Sequence, residues 1–211
     1  MPGTGKSRSA TVSESAYKTL GLGAGSGRWR RAIRAATTIW DTIMKLFMFQ
    51  VGGNFRNSNV ELHDIRFAIG ETVADCYADL RRQWWGDPES LHLDCWGAVE
   101  QADGYDVSLV AGGGESATDQ LFLVNLGGYS PAEFTELHRN VLIVAEDAAA
   151  AKAKALSLIQ DWSLPHKDRL FEVDKAVDLS AMLQREGYAI RLSKAAAIRP
   201  FAFTCNYVPI A

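Results

Sequence analysis

Leu46-Phe47-Met48-Phe49-Gln50-Val51-Gly52-Gly53 is an apolar run closed by two glycines, and Leu121-Phe122-Leu123-Val124-Asn125-Leu126-Gly127-Gly128 repeats it 75 residues later. The overlay continues without a gap from Lys45–Thr72 to Gln120–Asp147, with identities at Leu46/Leu121, Phe47/Phe122, Gly52/Gly127, Gly53/Gly128, Glu61/Glu136, Leu62/Leu137, His63/His138 and Glu71/Glu146. Eight of the 28 positions agree, where unrelated segments of average composition agree at about two. At an offset of 78, Trp84 faces Trp162, Ala98-Val99 face Ala176-Val177 and Asp94 faces Glu172; at 83, Gly104-Tyr105 face Gly187-Tyr188. The chain therefore reads as one unit written twice.

Each copy reads as strand, long loop, strand, helix, strand, strand. The two opening runs are apolar on both faces, as central strands are. Ile65, Phe67 and Ile69 alternate with Asp64, Arg66 and Ala68, the period of a half-buried strand. Val73, Cys76, Tyr77, Leu80 and Trp84 form one helical stripe, opened by Thr72 as cap with Asp75 three residues on. In the second copy Asp147 takes the cap, and Ala151, Ala155, Leu158, Ile159 and Trp162 form the stripe. Tyr105-Val107-Leu109 and Tyr188-Ile190-Leu192 predict the last strand of each copy.

One such unit buries little core and is marginal alone, so the copies are expected to pack against each other about an approximate two-fold axis. The implied fold class is α+β, with two tandem ββαββ units, antiparallel-rich sheets and one main helix per unit. The expected boundaries are 44–110 for the first unit, 111–119 for a flexible linker rich in glycine, and 120–193 for the second unit. Residues 194–211 form an apolar tail lying on the body.

Residues 1–43 do not take part in the repeat. They carry seven basic residues against two acidic ones, a formal +5, while the rest carries fifteen against twenty-three, a formal −8. An acidic body repels phosphate backbones, so nucleic-acid or anionic-membrane contact is expected only from the head. Residues 3–27, rich in Gly and Ser, are expected to lack order. Gly3-Thr4-Gly5-Lys6-Ser7 lacks the earlier glycine of a phosphate loop, and Gly21, Gly23, Gly25 and Gly27 miss the dinucleotide spacing. Trp29, Ile33, Ala36, Trp40 and Ile43 fall on one face of a basic amphipathic helix over 28–43. Met44 precedes the first strand directly, so a true start there, or an inert tail, is the leading explanation of the head, ahead of a docked helix or a targeting segment. No secretory core or membrane-spanning run is present. Cys76, Cys95 and Cys205 show no Cys-x-x-Cys spacing and read as reduced thiols, which points to a cytoplasmic setting.

Lys45-Leu46-Phe47, Gly52-Gly53, Glu61-Leu62-His63-Asp64, Phe67-Ala68-Ile69-Gly70-Glu71, His92-Leu93-Asp94 and Gly104-Tyr105 together resemble the bacterial domain-of-unknown-function family numbered 1543. The family occurs in one or two copies per protein. The resemblance covers 44–110 well and 120–193 more weakly, since Arg139 stands for Asp64 and Leu170-Phe171-Glu172 for His92-Leu93-Asp94. It implies a domain boundary and no activity.

The candidate ligand-binding residues are Gly52, Gly53, Arg56, Glu61, His63, Gly127, Gly128, Glu136 and His138. Each Glu-x-His pair places both side chains on one strand face, where the carboxylate can orient the imidazole. The pairing serves equally to tie the long loop to the sheet. The glycines fit a tight turn, or a close approach whose amides cup an anion. Arg56 makes the first copy the better ligand candidate. No catalytic residue and no cofactor is expected, because no nucleophile motif is present. No local spacing matches a metal-ligand motif either. Arg81-Arg82 beside Trp84-Trp85 is too small a basic cluster for nucleic-acid binding by the body. The sequence reads first as a small binding or interaction module with a small-molecule or protein partner. The alternatives are an enzyme or metal-binding protein using Glu61, His63, His92 and Asp94, and membrane or nucleic-acid binding through the basic head.

Overall fold

The computed structural model describes residues 44–112, 118–158, 164–165 and 176–211. The chain divides into two units, Met1–Thr42 and Ile43–Ala211, and the described sheets and helices all belong to the second. The expected head helix, most of the linker, Ile159 and Trp162 of the second stripe and the segment Leu170-Phe171-Glu172 lie outside the described residues.

The fold is mixed α+β, with antiparallel sheets and few helices. β1 (Lys45–Gly53), β2 (Leu62–Gly70), β3 (His92–Ala98) and β11 (Thr204–Pro209) form one sheet in the order β11-β3-β1-β2, with β1 central. A second sheet has β6 (Gln120–Tyr129) between β7 (Glu136–Ala145) on one side and β8 (Leu164–Pro165) and β9 (Val177–Asp178) on the other. β5 (Tyr105–Ala111) joins β4 (Gln101–Ala102) to β10 (Tyr188–Lys194) in a third. The helices are α1 (Tyr77–Gln83), α2 (Ala148–Leu156) and α3 (Leu179–Arg185).

The apolar runs lie where the pattern puts them. Phe47, Phe49 and Val51 point to one side of the first sheet and bury against Cys76, Leu80 and Trp84. Phe122, Val124 and Leu126 do the same on the second sheet against Ala151 and Ala155 of α2. The opposite faces meet each other, with Leu46 and Phe67 in one core with Leu121, Leu123 and Val144, closed by Leu179 and Leu183 of α3. Each fully buried side chain of this size contributes about 1.5–3 kcal/mol over leaving it exposed.

The helix of the first copy differs from expectation in its start. Ala74–Cys76 is 3₁₀, running into α1, and Thr72 does not accept a backbone bond. Instead its N–H and hydroxyl both donate to Asp75 Oδ2, at 2.8 Å each. Those bonds, the side-chain one first, hold the Asp75 carboxyl below its usual range. Asp147 caps α2 as expected, accepting from Ala150 N–H at 2.8 Å. That helix ends at Leu156, so Leu158 leaves the stripe and is exposed.

β2 is an edge strand, and its outer backbone is plugged by side chains. Asp64 Oδ1 accepts from Ile65 N–H at 2.7 Å, and Gln83 Nε2 donates to Phe67 C=O at 2.9 Å. Such plugging protects an edge from pairing with another chain. On the far side of the sheet, the expected tail is a strand: β11 pairs with β3, and Ile210 beyond it is buried in the first core. Cys205 lies opposite Cys95, and the two form a disulfide. This corrects the expectation of reduced thiols for that pair. Facing positions on adjacent antiparallel strands bring the Cβ atoms of residues far apart in sequence to bonding range. Cys76 remains a buried thiol. The cytoplasmic expectation rests on reduced cysteines, and the Cys95–Cys205 bond removes that support. No helix among the described residues is long and apolar enough to cross a membrane.

Candidate functional site

The site is built on a row of three residues across three strands. In the ladder Gly52 pairs with His63 on β2 and with His92 on β3. Residues opposite one another in a ladder send their side chains to the same face, so the two imidazoles flank the glycine. Period-two spacing then adds Glu61 beside His63 and Asp94 beside His92. Asp94 is the extra residue where the β1–β3 register shifts between Gln50 and Val51. Such bulges re-aim side chains, and this one delivers its carboxylate to both histidines.

The distances close a ring. His92 Nε2 lies 3.0 Å from Glu61 Oε1 and 3.5 Å from Asp94 Oδ1. His63 Nε2 lies 3.3 Å from Asp94 Oδ2 and 3.7 Å from Glu61 Oε2. Among the described residues, ligand atoms of Glu61, His63 and His92 all fall within 4.8 Å of one another. Gly52 is the floor of this ring. A Cβ there would stand 2.6 Å from His92 Nε2, 2.9 Å from Asp94 Oδ2 and 3.0 Å from His63 Cδ2. No larger residue leaves the ring room to form.

His92 is fully buried, 1% exposed, yet its Nε2 has no hydrogen-bond partner, and neither has the buried Asp94 Oδ2. The contact with Glu61 is short but not aligned for a hydrogen bond. On the other side of the ring, His92 Nδ1 sits 2.9 Å from Ser90 C=O. A carbonyl only accepts, so Nδ1 carries a proton, and Nε2 is the nitrogen left to offer a lone pair to a ligand. Ser90 is itself fixed, its hydroxyl donating to Asp87 C=O at 2.7 Å and accepting from Asn54 N–H at 2.8 Å. The Tyr207 ring of β11 lies over His92, with centroids 4.4 Å apart. Glu61 and His63 face outward, with side chains about two-fifths exposed (41% and 43%).

The remaining candidates separate. Gly53 faces the other side, where its Cβ would meet Trp84 at 2.7 Å and Ser90 Oγ at 2.8 Å, so it serves packing. None of the four glycines takes a positive φ, which corrects the tight-turn reading: all four lie extended within β1 and β6. Arg56 stands away from the ring, its guanidinium over the Phe55 ring at 4.9 Å. In the second copy His138 Nε2 lies 3.6 Å from Glu136 Oε2 and pairs across the ladder with Gly127. Counterparts of His92 and Asp94 fall outside the described residues, and at those places the sequence has Leu170 and Glu172. The spacing Glu-x-His and His-x-Asp carried the local signal. Pairing of the two motifs across β1, and the role of Gly52 between them, needed the ladder register.

Residues 58–109, which contain all four side chains of the ring, match the family model Domain of Unknown Function (DUF1543), as a single copy. The chain is also similar to a solved protein, Il1583 from Idiomarina loihiensis, with 25% identity and a TM-score of 0.60, over 80% of this chain and 98% of that one. No curated protein matches.

Proposed function

We propose that the protein binds one divalent transition-metal ion, of which zinc is the type, through Glu61, His63, His92 and Asp94. This favours the metal-binding alternative over a plain interaction module. The observation that carries it is the buried, unpartnered Nε2 of His92 with its tautomer set from behind by Ser90 C=O. Metal-bound histidines are held in this way by a carbonyl or carboxylate on the second nitrogen. The spacing of the ring supports the same reading. Taken with one ligand atom each, Glu61, His63 and His92 lie within 4.8 Å of one another, close enough to share one ion whose ligands stand about 2.0–2.1 Å from it, and Asp94 reaches both imidazoles, at 3.3 and 3.5 Å. Two imidazoles and two carboxylates suit zinc, and also iron, cobalt and nickel in the divalent state. The test is a cobalt(II) titration of chelator-treated protein followed by its visible absorption. Bands that saturate at one equivalent and vanish in His92→Ala support the site; an unchanged spectrum of free cobalt refutes it.

We further propose that the body arose by duplication, with residues 44–110 and 120–193 related by an approximate two-fold axis. The hairpins β1–β2 and β6–β7 share a register at an offset of 75, with Gly52 opposite His63 and Gly127 opposite His138. In the third sheet Tyr105 pairs with Lys194 and Tyr188 with Ala111, so an offset of 83 turns each pair into the other. The flanking bonds obey the same exchange: Gly112 N–H donates to Gly187 C=O at 2.9 Å, and Ala195 N–H to Gly104 C=O at 3.0 Å. Since the second copy carries leucine in place of His92, one metal per chain is expected despite two copies.

A further inference from the structure

The facing sides of the two sheets change character along the strands. Near the start of β1 and β6 they are apolar and closed. Toward the glycines the same rows carry Gln50 and His63 on one sheet and Asn125, His138 and Asn140 on the other, and there a cavity of about 730 Å³ opens. That volume lies within the range of small-molecule sites, about 300–1,000 Å³. Leu123, Phe67 and Met182 supply its apolar walls. His63 belongs both to this wall and to the metal ring, so a molecule in the cleft lies beside the metal.

We propose that the cleft binds a small uncharged molecule through an amide group, –CO–NH–. Only the ligand's orientation, with one end toward His63, rests on the metal reading. Asn125 Nδ2 donates to Asn140 Oδ1 at 2.7 Å. That bond leaves the Asn125 carbonyl as an acceptor and the Asn140 amide as a donor, the complement of an amide's N–H and C=O. Gln50 adds a third amide on the opposite wall. The protein's own charge at the edge is balanced, Arg66 Nη2 lying 2.6 Å from Asp64 Oδ2, and the buried Nε of Arg66, which has no partner, is a further donor for a carbonyl. An amide is planar, and its flat faces suit aliphatic walls while its edge takes the hydrogen bonds.

The amide could belong to an open chain or to a ring, and two probes separate them. Full-length protein, both chelator-treated and loaded with zinc, is titrated with N-acetylglycinamide and with uracil, and the chelator-treated protein also with acetate as the anionic control, all followed by calorimetry. Asn125→Leu and Asn140→Leu are titrated beside it, and zinc affinity is measured for all three proteins. Saturable millimolar or tighter binding of at least one amide is expected, weakened about tenfold by either leucine, the worth of one hydrogen bond of about 1.4 kcal/mol. Zinc affinity is expected to stay the same in both variants. Failure of both amides, binding unchanged in Asn140→Leu, or tighter binding of acetate overturns the proposal. Amide binding that needs Asn140 in a protein that takes up no zinc upholds the cleft and refutes the metal reading alone.

Discussion

At Gly52 the consequence of one missing side chain is measurable. Its φ is not positive, so alanine fits the backbone there, and the effect of Gly52→Ala is steric alone. A methyl 2.6 Å from His92 Nε2 forces the imidazole aside. Gly52→Ala is expected to cost about 1–3 kcal/mol of stability, the range for overpacking, and to weaken zinc binding at least about tenfold. Urea unfolding and a competition titration check the two effects. Retained affinity would show that the ring is not the metal site. Cys76 offers an independent check of the first core. Burial, and after it Asp75 and Asp79, push its thiol up to about 12. Between its ordinary value near 9 and that figure the native state holds a proton that the unfolded chain releases, so stability is fully present below pH 9 and falls as pH rises toward 12. Native protein should therefore resist iodoacetamide at pH 8 and react once unfolded.

At the scale of elements, β11 is the piece that sequence periodicity could not place. Ile198, Phe201, Phe203 and Tyr207 read as an apolar tail, and three of them are largely exposed at 83%, 63% and 63%. What fixes β11 is pairing with β3, the Cys95–Cys205 bond, and the Ile210 C=O that accepts from Arg81 Nε. All three are long-range and leave no mark on local pattern. By contrast β1 and β6 were legible, because a strand buried on both faces reads as an unbroken apolar run. The Thr72 cap misled because its hydroxyl has a carboxylate three residues on to donate to. A disulfide closing a loop of this size, 110 residues, contributes about 2–5 kcal/mol. Reduction, or Cys205→Ser, is thus expected to lower the melting temperature and to loosen the Tyr207 ring from His92, with weaker zinc binding. Calorimetry with and without a phosphine reductant measures both, and identical melting curves would mean that the bond does not form in solution.

For the whole molecule, faces of two sheets meet in one core, the arrangement that the proposed duplication accounts for. Residues 44–112 lack β11 and the Leu121, Leu123 and Val144 side of that core, so this fragment alone should show no cooperative melt, and co-expression with residues 113–211 should restore one. A fragment that melts cooperatively by itself would refute the shared core. Of the site, the two motifs were legible as Glu-x-His and His-x-Asp, while their meeting over Gly52 was not, since register is a property of the ladder and not of either motif. On the proposed duplication the metal count is informative, because residues 120–193 have Leu170 where the first unit has His92. Native mass spectrometry of chelator-treated chain incubated with zinc counts ions directly. One zinc per chain, absent from His92→Ala and still present in His138→Ala, is the expected result; no retained zinc, or zinc kept by His92→Ala, would contradict it.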